Sequence, residues 1–278
     1  MLSYQHSYHA GNFGDVHKHL ALVILLRRLQ QKDTPLCFVD SHAGRGTYDL
    51  TGAEAQKTGE AESGILRLPG AADAPPAVSD YLGLVRSFNH GNDIETYPGS
   101  AALAQTLLRE QDRAVLLELH PQELAALRRW IGRDRRIAIH ARDCHEGLPA
   151  LLPPPIRRGL VLIDPSYELK NEFRDVASLV CRSLDRWANA VYLIWYPLLA
   201  AGQHRLLLDA LAERAPPAML NSEWLLDPRA SGMRGSGLVV INTPWQSDLQ
   251  LADAVDFVRG TLDPHDQGSH TLARLTST

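Results

Sequence analysis

The four residues Asp164-Pro165-Ser166-Tyr167 stand at the end of an apolar run, 160–164, that is typical of a buried strand. A carboxylate, a turn fixed by proline and an aromatic ring at one strand end can together hold a planar amine. Asp164 and a free backbone carbonyl would accept hydrogen bonds from the amine. Tyr167 would stack on the ring, which contributes about 1–3 kcal/mol per base. The simpler interpretation is a strand end followed by a turn with a packed tyrosine, and the four residues alone favour neither.

A glycine-rich turn follows an earlier apolar run at 36–40, in the sequence Asp40-Ser-His42-Ala-Gly44-Arg-Gly46. Glycines allow the backbone to approach a ligand closely and to adopt positive φ. A turn of this kind after a strand lies where open α/β sheets bind nucleotides, although many such turns are only turns. The turn has no Walker lysine, so it does not indicate a phosphate-binding P-loop.

The amino-terminal region is rich in histidine, and a metal-dependent hydrolase is therefore a second hypothesis. His17 and His19, together with His42, Asp40 and Asp164, could supply the ligands of a metal site. The segment that carries His17 and His19 is predicted to be helical, and residues two apart on a helix point to different faces. This geometry disfavours joint metal ligation by the two residues.

Seven short apolar runs alternate with stretches of helical periodicity, which is the pattern of a parallel sheet covered by helices on both faces. The predicted strands are residues 36–40, 115–118, 137–140, 160–164, 191–195, 219–226 and 238–242. The predicted helices are residues 15–31, 100–110, 121–131, 172–187, 203–214 and 249–262. The loop at 227–237 leaves no room for a crossover helix, so we expect the last two strands to be antiparallel. This profile is typical of class I methyltransferases as much as of dinucleotide-binding folds.

The first and fourth predicted strands should be neighbours at the point where the strand order reverses. The glycine-rich turn and the Asp164 motif would then share the carboxyl edge of the sheet. This arrangement predicts a nucleoside-like cofactor beside a pocket for a base.

The segment 47–98 interrupts the alternation, since it contains glycine, proline, alanine and acidic residues but no strong strand pattern. In a dinucleotide-binding unit the carboxylate that binds the ribose follows the glycine-rich turn by about 20 residues. The best candidate here, Glu118, comes much later, at the end of the second strand. We therefore predict that 47–98 is an inserted helical subdomain, followed by a helix that Ser100 caps. After Pro244 we expect one short helix and an uninformative end.

Composition excludes several classes of protein. The chain has 278 residues, a net charge of −4 and 45% hydrophobic residues, which is enough apolar content for a large core. The longest apolar run, 20–26, is far shorter than the roughly 20 residues of a membrane helix, and the first residues do not resemble a signal peptide. Three widely spaced cysteines indicate neither a disulfide framework nor a cysteine-based zinc site. We expect a cytoplasmic protein without membrane partner or bound metal.

The sequence resembles the RlmJ family of S-adenosylmethionine-dependent methyltransferases along almost its whole length. The motifs that carry the resemblance are Leu2-Ser-Tyr4, His9-Ala-Gly-Asn12, Asp15-Val-His-Lys18-His19, Asp40-Ser-His42-Ala-Gly44-Arg-Gly46, Tyr97-Pro-Gly-Ser100, Glu118-Leu-His-Pro121, Asp164-Pro-Ser-Tyr167, Trp195-Tyr-Pro197 and Ser236-Gly237. The resemblance implies a class I, Rossmann-like fold over residues 1–278. Its sheet would have seven mostly parallel strands with a final antiparallel strand, and it would carry an amino-terminal cofactor and substrate motif at about 1–35. It also implies methylation of the exocyclic N6 amine of a single adenine, position 2030, in 23S ribosomal RNA.

The resemblance assigns the cofactor S-adenosylmethionine to a set of residues at the predicted carboxyl edge. These are His19, His42, Ser100, Glu118, Asp143, Cys144 and Asp164. Within this set, Glu118 would hold the ribose hydroxyls, and Asp143 would bind the adenine amine with Cys144 alongside. Asp164 would lie beside the transferring methyl group and would be the catalytic residue.

For the RNA substrate, the resemblance implies that Tyr4 contacts the target adenosine, Pro165 offers its carbonyl and Tyr167 stacks on the base. Ser166 stands where the family pattern has a second proline, a departure that concerns activity rather than fold. From their place in the 227–237 loop, Arg229 and Arg234 are further candidates, for contacts with RNA phosphates. We expect a monomer acting on protein-free 23S ribosomal RNA or an early precursor. Two alternatives stay open: a metal-dependent nuclease or hydrolase, and a catalytically weak nucleic-acid-binding protein linked to the use of external DNA.

Overall fold

The fold is built on an eight-stranded sheet with helices on both faces. The computed structural model describes residues 5–68, 70, 73–91, 93–169, 171–214 and 218–275. Within these ranges the strands are β1 (Cys37–Asp40), β2 (Thr47–Asp49), β3 (Thr96–Pro98), β4 (Arg113–Leu117), β5 (Ile137–His140), β6 (Gly159–Ile163), β7 (Val191–Leu199), β8 (Met219–Leu225), β9 (Met233–Ile241) and β10 (Ser269–Leu275). The α-helices are α1 (Phe13–Gln30), α2 (Ala53–Thr58), α3 (Pro76–Arg86), α4 (Ser100–Leu107), α5 (Pro121–Ile131), α6 (Cys144–Leu151), α7 (Glu172–Arg186), α8 (His204–Arg214) and α9 (Ser247–Leu262). Short 3-10 helices cover His6–Tyr8, Glu60–Ser63 and Ile65–Arg67.

The strand order of the main sheet is β5-β4-β1-β6-β7-β9-β8-β10. The strands from β5 to β7 are parallel, while β9 is antiparallel to both β7 and β8. The predicted fold class and the predicted neighbourhood of the first and fourth strands, here β1 and β6, are therefore confirmed. All five residues of β6 are buried, as expected of a strand covered on both faces. In the described part of the chain, no helix combines the length and the apolar character needed to cross a bilayer.

The strand count of seven was one too low, because the carboxyl-terminal region forms β10 against β8. Most side chains of β10 are exposed or half-buried, so this edge strand lacks the apolar pattern from which the others were predicted. The 227–237 loop is also shorter than predicted, since β9 already begins at Met233. Gly237, which suggested a loop, is required inside β9 because a Cβ there would lie 2.1 Å from the ring of Tyr196.

The segment 47–98 contains α2, two 3-10 helices and α3, and its ends pair as β2 and β3 in a separate two-stranded sheet. Its buried residues do not form a core of their own. Ile65, Val78, Tyr81 and Val85 are fully buried in the same hydrophobic cluster as α1. The segment therefore packs directly on the helix that carries the amino-terminal motif.

Helix α1 is buried on all sides from Gly14 to Leu26. Asn12 caps it, with its side-chain oxygen accepting from the backbone N–H of Asp15 at 2.9 Å. A helix that is buried all round needs partners for every polar side chain it carries, because unpaired buried polar groups are costly. The polar residues of α1 are consequently tied to other elements, and these ties build one side of the candidate site.

Candidate active site

A cavity of about 600 Å³ lies at the carboxyl edge of the sheet and joins the two motifs singled out in the sequence. Both motifs meet there because β1 and β6 pair in parallel and end together. The predicted site residues that line the cavity are His19, His42, Ser100, Glu118, Asp143, Cys144, Asp164, Pro165 and Tyr167. A volume of this size is within the usual range for small-molecule sites.

One end of the cavity has the features of a nucleoside site. Glu118, directly after β4, accepts hydrogen bonds from the backbone N–H of Gly44 at 2.9 Å and of His120 at 2.7 Å. Burial raises the pKa of Glu118, against the effect of these two hydrogen bonds. Nδ1 of His120 is buried in the cavity wall without a hydrogen-bond partner in the described chain. Asp143 caps α6 by accepting from the N–H of His145 at 2.8 Å.

Asp40 lies under the glycine-rich turn and is fully buried. It accepts hydrogen bonds from the hydroxyl of Ser100 at 2.6 Å and from the N–H of His42 at 3.0 Å. Burial raises the pKa of Asp40 to about 7 in spite of these bonds. Ser100 was predicted to cap α4, but Gly99 occupies the cap position and the Ser100 side chain instead joins α4 to the end of β1.

The two histidines next to this region are held in the neutral state. Burial lowers the pKa of His19 to about 3 and that of His42 to about 4. Nδ1 of His19 lies 2.7 Å from the hydroxyl of Tyr97, which in turn lies 2.9 Å from that of Tyr81. His42 is hydrogen-bonded to Ser41 at 2.7 Å. Neutral rings can accept or donate hydrogen bonds at the cavity wall without adding positive charge there.

The other half of the cavity is built around the ammonium group of Lys18. Nζ of Lys18 lies 2.8 Å from Asp15 Oδ1 and 2.5 Å from Asp164 Oδ2. Burial opposes the charge, but the two carboxylates raise the pKa of Lys18 above its ordinary value. Asp15 also accepts from His6 Nε2 at 2.8 Å and from the N–H of Gly11 at 2.9 Å. The side chain of Asp164 is thus fixed from the amino-terminal helix.

Tyr167 adopts a positive φ of 53° at the turn after β6. Its ring packs on Phe173 with centroids 4.4 Å apart, and its hydroxyl donates to the carbonyl of Trp195 at 2.8 Å. Pro165 and Ser166 line the cavity beside it. These contacts hold Tyr167 in the turn, in which Ser166 stands at the place of the second proline of the family pattern.

Two predicted substrate residues, Arg229 and Arg234, do not lie in the cavity wall. Arg229 is exposed in the β8–β9 loop, and Arg234 lies in β9 rather than in the loop, with its Nε donating to the carbonyl of Ala230 at 2.9 Å. Arg234 lines a second cavity of about 310 Å³, and Leu199 contributes to the walls of both cavities. Tyr4 lies outside the described residues.

The sequence analysis missed the roles of Asp15, Lys18, His6 and Trp195 in the wall of the cavity. For Asp15 and Lys18 the signal available was their position: charged residues in the first turns of a helix that is otherwise apolar must be paired inside the protein. His17 and His19 do point to different faces of α1, as predicted, toward Ser236 and Tyr97. Among the described residues no group of three or more His, Cys, Asp and Glu side chains has a metal-binding arrangement.

At one side of the parallel sheet, β9 lies antiparallel between β7 and β8, and the cavity lies at the carboxyl edge of the sheet. This strand order and this position of the cavity define a class I methyltransferase. S-adenosylmethionine is the methyl donor of this class, and the cofactor predicted from the sequence is confirmed at that level. The model of the family described as "Ribosomal RNA large subunit methyltransferase D, RlmJ" matches residues 33–276. The chain belongs to the RlmJ family.

Relatives support the assignment over the full length. The chain is 37% identical over 275 residues to "Ribosomal RNA large subunit methyltransferase J" of Escherichia coli K12, covering 98% of both chains. It is 38% identical over 279 residues to the protein of the same name from Haemophilus influenzae, covering 99% of both. A crystal structure of a Legionella pneumophila protein superimposes with a TM-score of 0.90 at 32% identity, covering 96% of this chain and 98% of that one.

Proposed function

We propose that this protein transfers a methyl group from S-adenosylmethionine to the N6 amine of one adenine, position 2030, in 23S ribosomal RNA. The observation that carries the proposal is the single cavity in which the Glu118 region and the Asp164 motif face each other. The names of the two bacterial relatives support ribosomal RNA of the large subunit as the substrate. With that substrate, the proposed activity is cytoplasmic.

The residues present fit the cofactor. The carboxylate of Glu118, at the end of the strand next to β1, is where ribose hydroxyls are held in related nucleotide sites. The unpartnered Nδ1 of His120 and the start of α6 at Asp143 supply polar groups for the adenine end. When bound, S-adenosylmethionine supplies a methyl group on a positively charged sulfonium.

The chain's own residues would position and activate the substrate amine. The lone pair of an exocyclic adenine amine is delocalised into the ring, so the amine is a weak nucleophile. Hydrogen bonds from the amine to Asp164 and to the carbonyl of Pro165 favour the pyramidal geometry that frees the lone pair. The amine nitrogen would bond to the methyl carbon as the methyl–sulfur bond breaks, and the electron pair of the broken bond would leave with the sulfur as a neutral thioether. The Asp164 carboxylate would stabilise the positive charge that develops on the nitrogen and would receive the proton that leaves.

The target base has to be unpaired or extruded to reach this cavity, since a stacked base cannot present its amine to Asp164. We propose that the β8–β9 loop with Arg229, the nearby Arg234 and the segment 47–98 contact the RNA backbone. Arg229 is exposed at the carboxyl edge, as a phosphate contact requires. We propose that the protein acts as a monomer on protein-free RNA or an early precursor.

The test is incubation of the protein with labelled S-adenosylmethionine and unmodified, protein-free 23S RNA, followed by mass analysis of nucleosides. We expect N6-methyladenosine with the wild type and its loss in Asp164→Asn. Asp185→Asn is the matched control, because Asp185 is an exposed residue of α7 that does not line the cavity. Cofactor binding without any methylated nucleoside, on protein-free 23S RNA and equally on an early precursor, would overturn the substrate assignment. Activity that requires an added metal and cleaves the RNA would favour the hydrolase alternative instead.

A further inference from the structure

A chain of buried polar side chains runs from the cavity through α1 to the far edge of the sheet. Nε1 of Trp195 donates to Oγ of Ser236 at 2.9 Å, and the same Oγ lies 2.9 Å from Nδ1 of His17. Nε2 of His17 lies 3.1 Å from Oγ of Ser222, which lies 3.0 Å from Nε2 of His270. His17, Ser222 and Ser236 are each at most 1% exposed.

The ends of this hydrogen-bonded series limit its directions, because an indole can only donate and a carboxylate can only accept. Nε1–H of Trp195 donates to Ser236, and Nδ1–H of His270 donates to Asp256 at 2.9 Å. Burial lowers the pKa of His17 to about 3, so its ring is neutral and has one donor and one acceptor nitrogen. These groups are all paired when Ser236 donates to Nδ1 of His17, Nε2–H of His17 donates to Ser222, and Ser222 donates to Nε2 of His270.

Of these hydrogen-bonded side chains, Trp195 is the one that reaches the candidate site. Its ring centroid lies 5.7 Å from Nζ of Lys18, and its backbone carbonyl accepts from the hydroxyl of Tyr167. The indole thus forms cavity wall between the ammonium that holds Asp164 and the aromatic ring of the Tyr167 turn.

We propose that His17 is a positioning residue for methyl transfer: through Ser236 it fixes the indole of Trp195, and with it the wall against which the target base is placed. This inference rests on the proposed function. His17 does not touch the cavity itself and has no role in holding the cofactor. Its loss should therefore lower the rate of transfer without weakening the binding of S-adenosylmethionine.

Three variants separate positioning from general stability. His17→Leu and Ser236→Ala interrupt the chain, whereas His17→Asn keeps a hydrogen-bond acceptor close to the position of Nδ1. Tyr192→Phe is the matched control. Tyr192 lies in β7, as Trp195 does, and the change removes a buried hydrogen bond that its hydroxyl shares between the carbonyls of Ser183 and Trp187, away from the cavity. We expect kcat to fall about tenfold in the first two variants and to recover to within about threefold of wild type in His17→Asn. The dissociation constant of S-adenosylmethionine should stay within about twofold.

A second readout does not depend on activity. The indole N–H of Trp195, assigned by its absence in Trp195→Phe, should exchange slowly with solvent in the wild type and at least about tenfold faster in His17→Leu. Unchanged exchange would overturn the proposal, as would an equal loss of kcat in Tyr192→Phe. If the wild type methylates no RNA, the proposed function fails, and the exchange rates alone then decide whether His17 positions Trp195.

Discussion

Nζ of Lys18 lies 2.5 Å from Oδ2 of Asp164, and this contact joins the second turn of α1 to the turn after β6 across 146 residues of sequence. The lysine also holds Asp15, so two carboxylates share one ammonium group. The side chain of Lys18 is only 5% exposed, which makes the ion pair far less screened than a surface pair. The amino-terminal helix therefore determines where the proposed catalytic carboxylate points.

The first prediction concerns this contact. Lys18→Met keeps the length of the side chain but leaves Asp15 and Asp164 without their shared cation. We expect kcat to fall at least about a hundredfold, because Asp164 loses its orientation and repels Asp15. Nζ has no partner at the Glu118 end of the cavity, so the dissociation constant of S-adenosylmethionine should change by less than about threefold. Steady-state kinetics with calorimetry on the same preparation measures both quantities, and cofactor affinity falling in step with kcat would contradict the assigned role.

The second prediction concerns Glu118. Glu118→Gln keeps the size of the side chain but replaces one of its accepting oxygens with an NH₂ group. We expect the dissociation constant of S-adenosylmethionine to rise about tenfold or more, since charge-assisted hydrogen bonds to the ribose are lost. The value of kcat at saturating cofactor should change little. Glu110→Gln is the control, because Glu110 is exposed and lies before β4, at the end opposite to Glu118; it should leave both values unaltered. Unchanged cofactor affinity in Glu118→Gln would refute the ribose assignment.

The sequence was sufficient to predict the half of the site that is built on strands. Asp164 and Glu118 each follow a buried apolar run, and parallel strands end at one edge, so their neighbourhood follows from the pattern alone. The position of α1 relative to the strands could not be predicted from this pattern. Lys18 reaches Asp164 only because α1 crosses the sheet at a particular angle, which depends on its packing against α3, α4, α9 and β9.

The errors have a common physical cause. Arg234 was assigned to a loop because glycines surround it, but Gly235 and Gly237 are in β9 to make room for backbone and for the ring of Tyr196. Likewise β10 was missed because an edge strand with exposed side chains has little apolar periodicity. In both cases long-range packing decides the local structure, and a single sequence does not display that packing.

The third prediction tests the RNA-binding role of the β8–β9 region. In Arg229→Glu with Arg234→Glu we expect the KM for RNA to rise about tenfold or more and to depend less steeply on salt. The dissociation constant of S-adenosylmethionine should stay constant, because neither arginine lines the larger cavity. Arg182→Glu with Arg214→Glu, on α7 and α8, makes the same change of charge at residues that line neither cavity. An equal rise in KM in this control would show that only the overall charge matters.

The last prediction is a loss of stability in mild acid. Burial holds the pKa of His17 and His19 at about 3 and that of His42 at about 4, whereas unfolded histidines titrate near 6.5. Below pH 6.5 the unfolded chain therefore takes up about three protons that the folded protein does not bind at these sites. Asp40 acts in the opposite direction, because its pKa of about 7 makes the folded state take up one proton that the unfolded state binds only near pH 4.

The difference is about two protons between pH 6 and pH 4, so the free energy of unfolding should fall by about 3 kcal/mol for each pH unit in this window. Urea titrations at pH 7, 6 and 5 measure this slope. His17→Asn removes one of the three histidines and should reduce the slope by about 1.4 kcal/mol per pH unit. Tyr192→Phe, which removes a buried hydroxyl but no histidine, is the control and should leave the slope as in the wild type. A free energy of unfolding that is constant between pH 6 and 5 would mean that the buried histidines accept protons in the folded state.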